Sequence, residues 1–210
     1  MPESTALIAF VVSALALLIT PGPAVVFVVT RSVQLGRKAG LLSTLGLTAG
    51  GLVHVAASVA GLSALLAASA RLFTAVKLIG AGYLIYLGIK TLMGASEPVS
   101  PREEPVRASR LFVDGFVVNV FNPKPALFFL AFLPQFVSPA AGPIQSQLLF
   151  LGLLYVTLAL FTDGAYALAA SSMRQWFAQN PRFWRAQRYA SGTVYLGLGI
   201  TAGLTGRASN

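Results

Sequence analysis

The sequence predicts an all-α integral membrane protein, six transmembrane helices forming two inverted three-helix repeats whose first and fourth helices are broken. Three observations predict it. The composition is too apolar for a water-soluble domain, six apolar windows approach the length of a bilayer span, and a proline-bearing motif of the first half recurs in the second.

The composition excludes several classes at once. Of 210 residues, 56% are hydrophobic and 10% charged, with a mean hydropathy of +0.75. Soluble domains carry about a quarter charged residues, so this chain belongs in lipid. There is no cysteine, which removes disulfides, thiolate metal sites and cysteine nucleophiles but leaves the compartment open. The net charge of +9 sits in short loops between apolar runs. It does not form a patch with interleaved aromatics, so nucleic acid is not an expected partner. The stretch before the first apolar run holds Glu3 and no Lys or Arg, unlike a secretory signal, and the first helix is expected to be retained.

A transmembrane helix needs about 20 mostly apolar residues to cross roughly 30 Å of hydrocarbon. The windows run near 6–29, 41–66, 73–92, 111–136, 144–171 and 189–204. Prolines interrupt the first and fourth, the sixth is the shortest, and Lys77 near the start of the third can snorkel to an interface. A polar linker at 95–110, rich in Pro, Ser and charge, divides the single transmembrane domain (1–210) into repeat one (1–94) and repeat two (111–210). Basic residues set the topology. Arg31, Arg37 and Lys38 follow the first helix; Lys90, Arg102, Arg107 and Arg110 surround the linker; Arg174, Arg182, Arg185 and Arg188 follow the fifth helix. The alternate side holds only Arg71 and Arg207. The three basic loops are therefore expected to be cytoplasmic, with both termini outside.

The halves resemble each other. Thr20-Pro21-Gly22-Pro23-Ala24 lines up with Asn122-Pro123-Lys124-Pro125-Ala126; Phe27 then falls on Phe129 and Gly50 on Gly152. Farther on, 81–88 lines up with 190–197. Repeats with an odd number of spans must enter the membrane from opposite sides, which gives the inverted arrangement. Each proline lacks an N–H and clashes with the preceding turn, so Pro21/Pro23 and Pro123/Pro125 should break or kink their helices. Freed carbonyls in hydrocarbon need partners, which a water-filled or ligand-lined cavity supplies. Symmetric breaks point to a binding site near the midplane, although kinks that only shape packing would give the same pattern.

Thr20-Pro21-Gly22-Pro23 followed by Gly36-Arg37-Lys38-Ala39-Gly40 resembles the LysE/RhtB family of amino-acid exporters. Asn119-Val120-Phe121-Asn122-Pro123-Lys124, with Phe128-Phe129-Leu130 and Phe132-Leu133-Pro134-Gln135-Phe136, is similar to that family's second motif, and the resemblance extends over essentially the whole chain. It implies export of amino acids or close derivatives, driven by the proton gradient across a bacterial inner membrane.

Asp163 lies inside the fifth apolar run, and an intramembrane carboxylate is costly enough to suggest function by default. Burial favours its neutral form and a neighbouring cation its charged form, so it can serve a proton-coupled carrier or bind a substrate ammonium. A static ion pair with Lys124 or Lys77 is the structural alternative. Lys124 in the broken fourth helix can meet a substrate carboxylate or neutralise Asp163, and the helix amino termini after Pro23 and Pro125 also suit a carboxylate. Asn119 and Asn122 can line the same cavity or tie helices together. With Thr20, Pro21, Gly22, Pro23 and Pro123 these are the candidate substrate- and proton-binding residues. His54 can relay protons or pack; Asp114 is placed near an interface, and neither is assigned to the site. Gly46 and Gly50 form a GxxxG that can serve internal packing or a homodimer.

No Ser-His-Asp arrangement, metal cluster or phosphate loop is apparent, so no enzyme activity, cofactor or metal is expected. The expected partners are an amino acid, protons and lipid. A neutral amino acid of the homoserine, threonine or leucine type is favoured, since a cationic one would want a second carboxylate. A small-solute or ion channel, an exporter of cationic amino acids and a membrane-embedded assembly or sensory subunit are the alternatives; counterflow separates a carrier from a pore.

Overall fold

A computed structural model describes residues 4–62 and 106–173, together with 78–79, 81–82, 85–86, 88–90, 92–94, 176, 180, 182, 185–186, 188–189, 192–193, 196–197 and 200. The third and sixth predicted windows and the linker lie largely outside these residues, as does Lys77. Every regular element among the described residues is helical. Three helices are long and apolar enough to cross a membrane, or four if a bent pair counts as one span.

The bent pair is the first window. Helix α1 (Ser4–Ile19) stops where two prolines remove the N–H groups that would continue it, and α2 (Pro23–Leu35) restarts with proline in its first turn, where the missing donor costs nothing. The two axes differ by 49°. Sequence analysis ends this window at residue 29 and places Arg31 in a loop. The helix instead continues to Leu35, because nothing in Arg31-Ser32-Val33-Gln34 breaks it. Gly36 alone then joins α2 to α3 (Arg37–Ala57), with φ +86° and its N–H on the Ser32 carbonyl at 3.0 Å. That left-handed conformation is open to glycine at little cost. A π-turn (Ser58–Leu62) extends α3.

The fourth window is also interrupted at its prolines, but it runs on as one candidate span, Ala108–Phe136, without the sharp bend of the first. Helix α4 (Ala108–Val120) ends at Phe121-Asn122, and the five-residue α5 (Pro123–Leu127) leads into a π-turn (Phe128–Phe132) and a 3-10 turn (Leu133–Phe136). Helix α6 (Ile144–Ser172) has 29 residues, about 43 Å at 1.5 Å per residue. That exceeds the hydrocarbon, so α6 must tilt or project beyond it. Buried Gln147 pins the preceding loop, accepting from the Ser138 N–H at 3.1 Å and donating to the Ser138 and Gly142 carbonyls at 2.8 and 2.9 Å.

Helix α3 is the central element, packed most extensively against α4 and α6. Small residues allow the α3–α4 approach. A Cβ at Gly46 would collide with the Phe112 carbonyl, one at Gly50 would lie 2.7 Å from the Phe116 carbonyl oxygen, and one at Gly115 would collide with the Ser43 carbonyl. The Gly46–Gly50 pair thus serves packing within the chain. Where described, the last stretches of the halves also meet: a Cβ on Gly88 would lie 2.9 Å from the Gly192 carbonyl oxygen. The largest core cluster gathers Phe10, Leu17, Phe128, Phe129, Phe132, Leu148, Leu151 and Tyr155, with Phe128 stacked on Tyr155 at 4.8 Å. Ile8, Val12, Ile19 and Phe161 are more than half exposed; apolar groups facing outward carry no penalty in lipid.

Candidate functional site

The two breaks leave specific backbone atoms without partners. In an α-helix the N–H of residue i pairs with the carbonyl of residue i−4. Pro23 therefore leaves the Ile19 carbonyl open, and the turn at 20–22 leaves that of Thr20 outside the helix. Both find partners in the second half of the chain: Tyr166 of α6 donates its hydroxyl to Ile19 O at 2.5 Å, and Lys124 of α5 donates from Nζ to Thr20 O at 2.5 Å. Pro123 removes the N–H that would meet the Asn119 carbonyl from four residues on; that oxygen accepts from the Asn122 N–H at 3.1 Å instead, and His54 of α3 adds a second contact, 2.8 Å away through Nε2. A carbonyl only accepts, so this nitrogen carries the hydrogen. The His54 ring also stacks on Phe129 at 6.4 Å.

The breaks restart their helices differently, for a reason visible in two side chains. Asn122 precedes the first proline of the second motif and its Oδ1 accepts from the Lys124 N–H at 3.1 Å, so α5 begins at once, at Pro123. Thr20 occupies the matching place in the first motif, but its hydroxyl turns back to the Ala16 carbonyl at 2.6 Å. Without a forward cap, α2 waits for Pro23, and no side chain caps its first turn.

Around these breaks the structure places two opposite charges. Lys124 is 5% exposed and Asp163 8%, and the ammonium and carboxylate interact electrostatically. Asp163 is held in this position by the packing of α6 on α2 and α3 in the two turns that follow it: Val25, Val29 and Val33 pack with Ala170 and Tyr166, and Val28 and Leu47 with Ala167. Tyr166, one turn beyond Asp163 on the same face, also interacts with it electrostatically.

Of the predicted site residues, Thr20, Lys124 and Asp163 come together at the first break, with Pro21, Gly22 and Pro23 shaping it. Asn122 is buried as the α5 cap, and Pro123 opens that helix. Asn119 lies at the second break, its carboxamide donating to the Leu47 carbonyl at 2.6 Å and so tying α4 to α3. Tyr166 was not singled out in the sequence. Its spacing of three from Asp163 was an available signal, but its partner is a backbone carbonyl, which no residue letter marks. Asp114, placed near an interface by sequence, pairs with Arg31 at 2.9 Å across α2 and α4, and the Arg31 guanidinium lies 5.2 Å from the centre of the Phe27 ring.

Buried opposite charges beside two interrupted apolar helices mark the chain as a membrane protein, because charge inside hydrocarbon is costly. Residues 15–206 match the family described as LysE type translocator, and the chain belongs to that family. It is 30% identical over 209 residues to the uncharacterized membrane protein YrhP of Bacillus subtilis (strain 168), covering 95% of this chain and 99% of that one. It is 29% identical to the homoserine/homoserine lactone efflux protein of Salmonella typhimurium, over 91% of this chain and 92% of the relative. The threonine efflux protein of Escherichia coli (strain K12) is 30% identical over 87% and 90%. No solved structure matches the chain at a significant level.

Proposed function

We propose that this protein exports neutral amino acids from the bacterial cytoplasm by proton antiport, using a site between the two helix breaks. The observation that carries the reading is the pairing of Lys124 with Asp163 in a buried position beside both breaks. An amino acid is a zwitterion, and this pair is its electrostatic complement. The carboxylate of Asp163 suits the substrate ammonium. The Lys124 ammonium suits the substrate carboxylate by charge, and the amino terminus of α2, which no side chain caps, adds N–H groups for it. Proton and substrate then compete for Asp163, which is the requirement for exchange.

Neutral substrates are favoured by charge count. A cationic amino acid would call for a second carboxylate near Asp163, and Asp114 is already paired with Arg31. The relatives named for homoserine and threonine efflux agree with this choice. The same reading takes the halves as inverted three-helix repeats in the inner membrane, with both termini periplasmic and the 95–110 linker cytoplasmic. The matched breaks and the order of elements around them support it: α1, α2, α3 in the first half, then α4, α5 with its π-turn, α6 in the second.

Proton flux in liposomes, followed by an internal pH dye against a panel of amino acids, tests the proposal. The expected result is saturable flux for a neutral subset, abolished by Asp163→Asn in protein that remains folded. Flux unchanged in that variant would remove Asp163 from the mechanism, and a flat panel for the folded, inserted protein would remove proton-coupled export.

A further inference from the structure

We infer that Tyr166 and His54 are positioning residues of the transport cycle, each latching the helix break of the opposite half through a carbonyl whose usual helical donor is replaced by proline. The latches are reciprocal. Tyr166, on α6 of the second half, holds Ile19 O at the first break; His54, on α3 of the first half, holds Asn119 O at the second. Helices α3 and α6 occupy the same place in their halves, directly after the broken span.

In water these bonds would exchange readily with solvent. In hydrocarbon no solvent competes, so each bond holds its break to the other half until another donor or water replaces it; Ile19 O depends on Tyr166 for this, while Asn119 O keeps the Asn122 N–H beside His54. Tyr166 has a further consequence, because it stands one turn from Asp163 and senses its charge. Movement of the first break away from α6 must release Ile19 O, and a substrate carboxylate arriving at Lys124 competes for the same group of donors. Substrate thereby releases the latch, and an empty site keeps it closed. The device makes the conformational change depend on cargo, the requirement for coupled rather than leaking exchange.

This inference deepens the exporter reading and rests on it for the identity of the cargo, but its first test does not depend on flux. The chain has no cysteine, so Ala24→Cys in the full-length protein reports opening of the first break as its rate of reaction with a maleimide. Tyr166→Phe removes one oxygen and keeps the ring. Labelling in the absence of amino acid should rise several-fold in Tyr166→Phe, and homoserine or threonine should accelerate it in the Tyr166 background but add nothing in the Phe variant. A role in packing alone would leave that cargo dependence intact. Equal labelling rates with and without the hydroxyl overturn the Tyr166 latch whatever the flux assay gives. In liposomes, Tyr166→Phe and His54→Phe should raise proton leak several-fold without substrate, while His54→Gln, which keeps a donor, stays tight. Leak at the unmodified level in both Phe variants overturns the latches even where amino-acid flux is normal. Absent flux with accelerated labelling would instead sink the exporter reading and leave the Tyr166 latch standing.

Discussion

Lys124 holds two things at once, the Asp163 carboxylate through its charge and the Thr20 carbonyl through a hydrogen bond. Removing it leaves a buried anion uncompensated and a backbone oxygen without its donor. Losing one member of a buried pair costs about 3–5 kcal/mol, so Lys124→Met should lower thermal stability sharply in detergent-solubilised protein. Adding Asp163→Asn should recover a large part of that loss while transport stays absent. If the double variant melts as low as Lys124→Met alone, the charge pair is not what stabilises this region. These two residues were legible in the sequence because charge inside an apolar run stands out. Tyr166 and His54 were not legible as partners of the breaks. The prolines announce that carbonyls four residues earlier need donors, yet only the packing of α6 on α2 and of α3 on α4 decides which side chain supplies them.

The α3–α4 contact is governed by backbone distance. At Gly46 an added methyl meets the Phe112 carbonyl, part of a helix backbone that cannot step aside; at Gly51 it meets a Val156 methyl at 3.3 Å, which can rotate. Gly46→Ala should therefore destabilise by about 1–3 kcal/mol, the usual cost of overpacking, and Gly51→Ala by distinctly less. Thermal unfolding of the two variants side by side checks the order, and a reversal would mean that α4 yields more easily than this contact implies. The GxxxG letters alone left two partners open, another helix of this chain or a second copy, because spacing describes one surface and not what covers it. The breaks themselves were readable from proline. Their different restart points were not, since those depend on whether Thr20 and Asn122 turn backward or forward.

For the molecule as a whole, the distribution of basic residues makes a prediction about sidedness. Single cysteines at Ser4 and Ser100, probed in intact cells with a membrane-impermeant maleimide, should react at Ser4→Cys and only after lysis at Ser100→Cys. The opposite pattern would invert the proposed orientation. The crossed bonds at the breaks also carry a consequence in time. The ribosome delivers Ile19 and Thr20 long before their donors, which lie 147 and 104 residues farther along. At ~5–20 residues per second that is roughly 5–30 seconds of synthesis. Throughout that interval neither carbonyl can have the partner it has in the folded chain. A chain truncated before Lys124 lacks both donors, and the first segment to emerge is thus among the last to be finished.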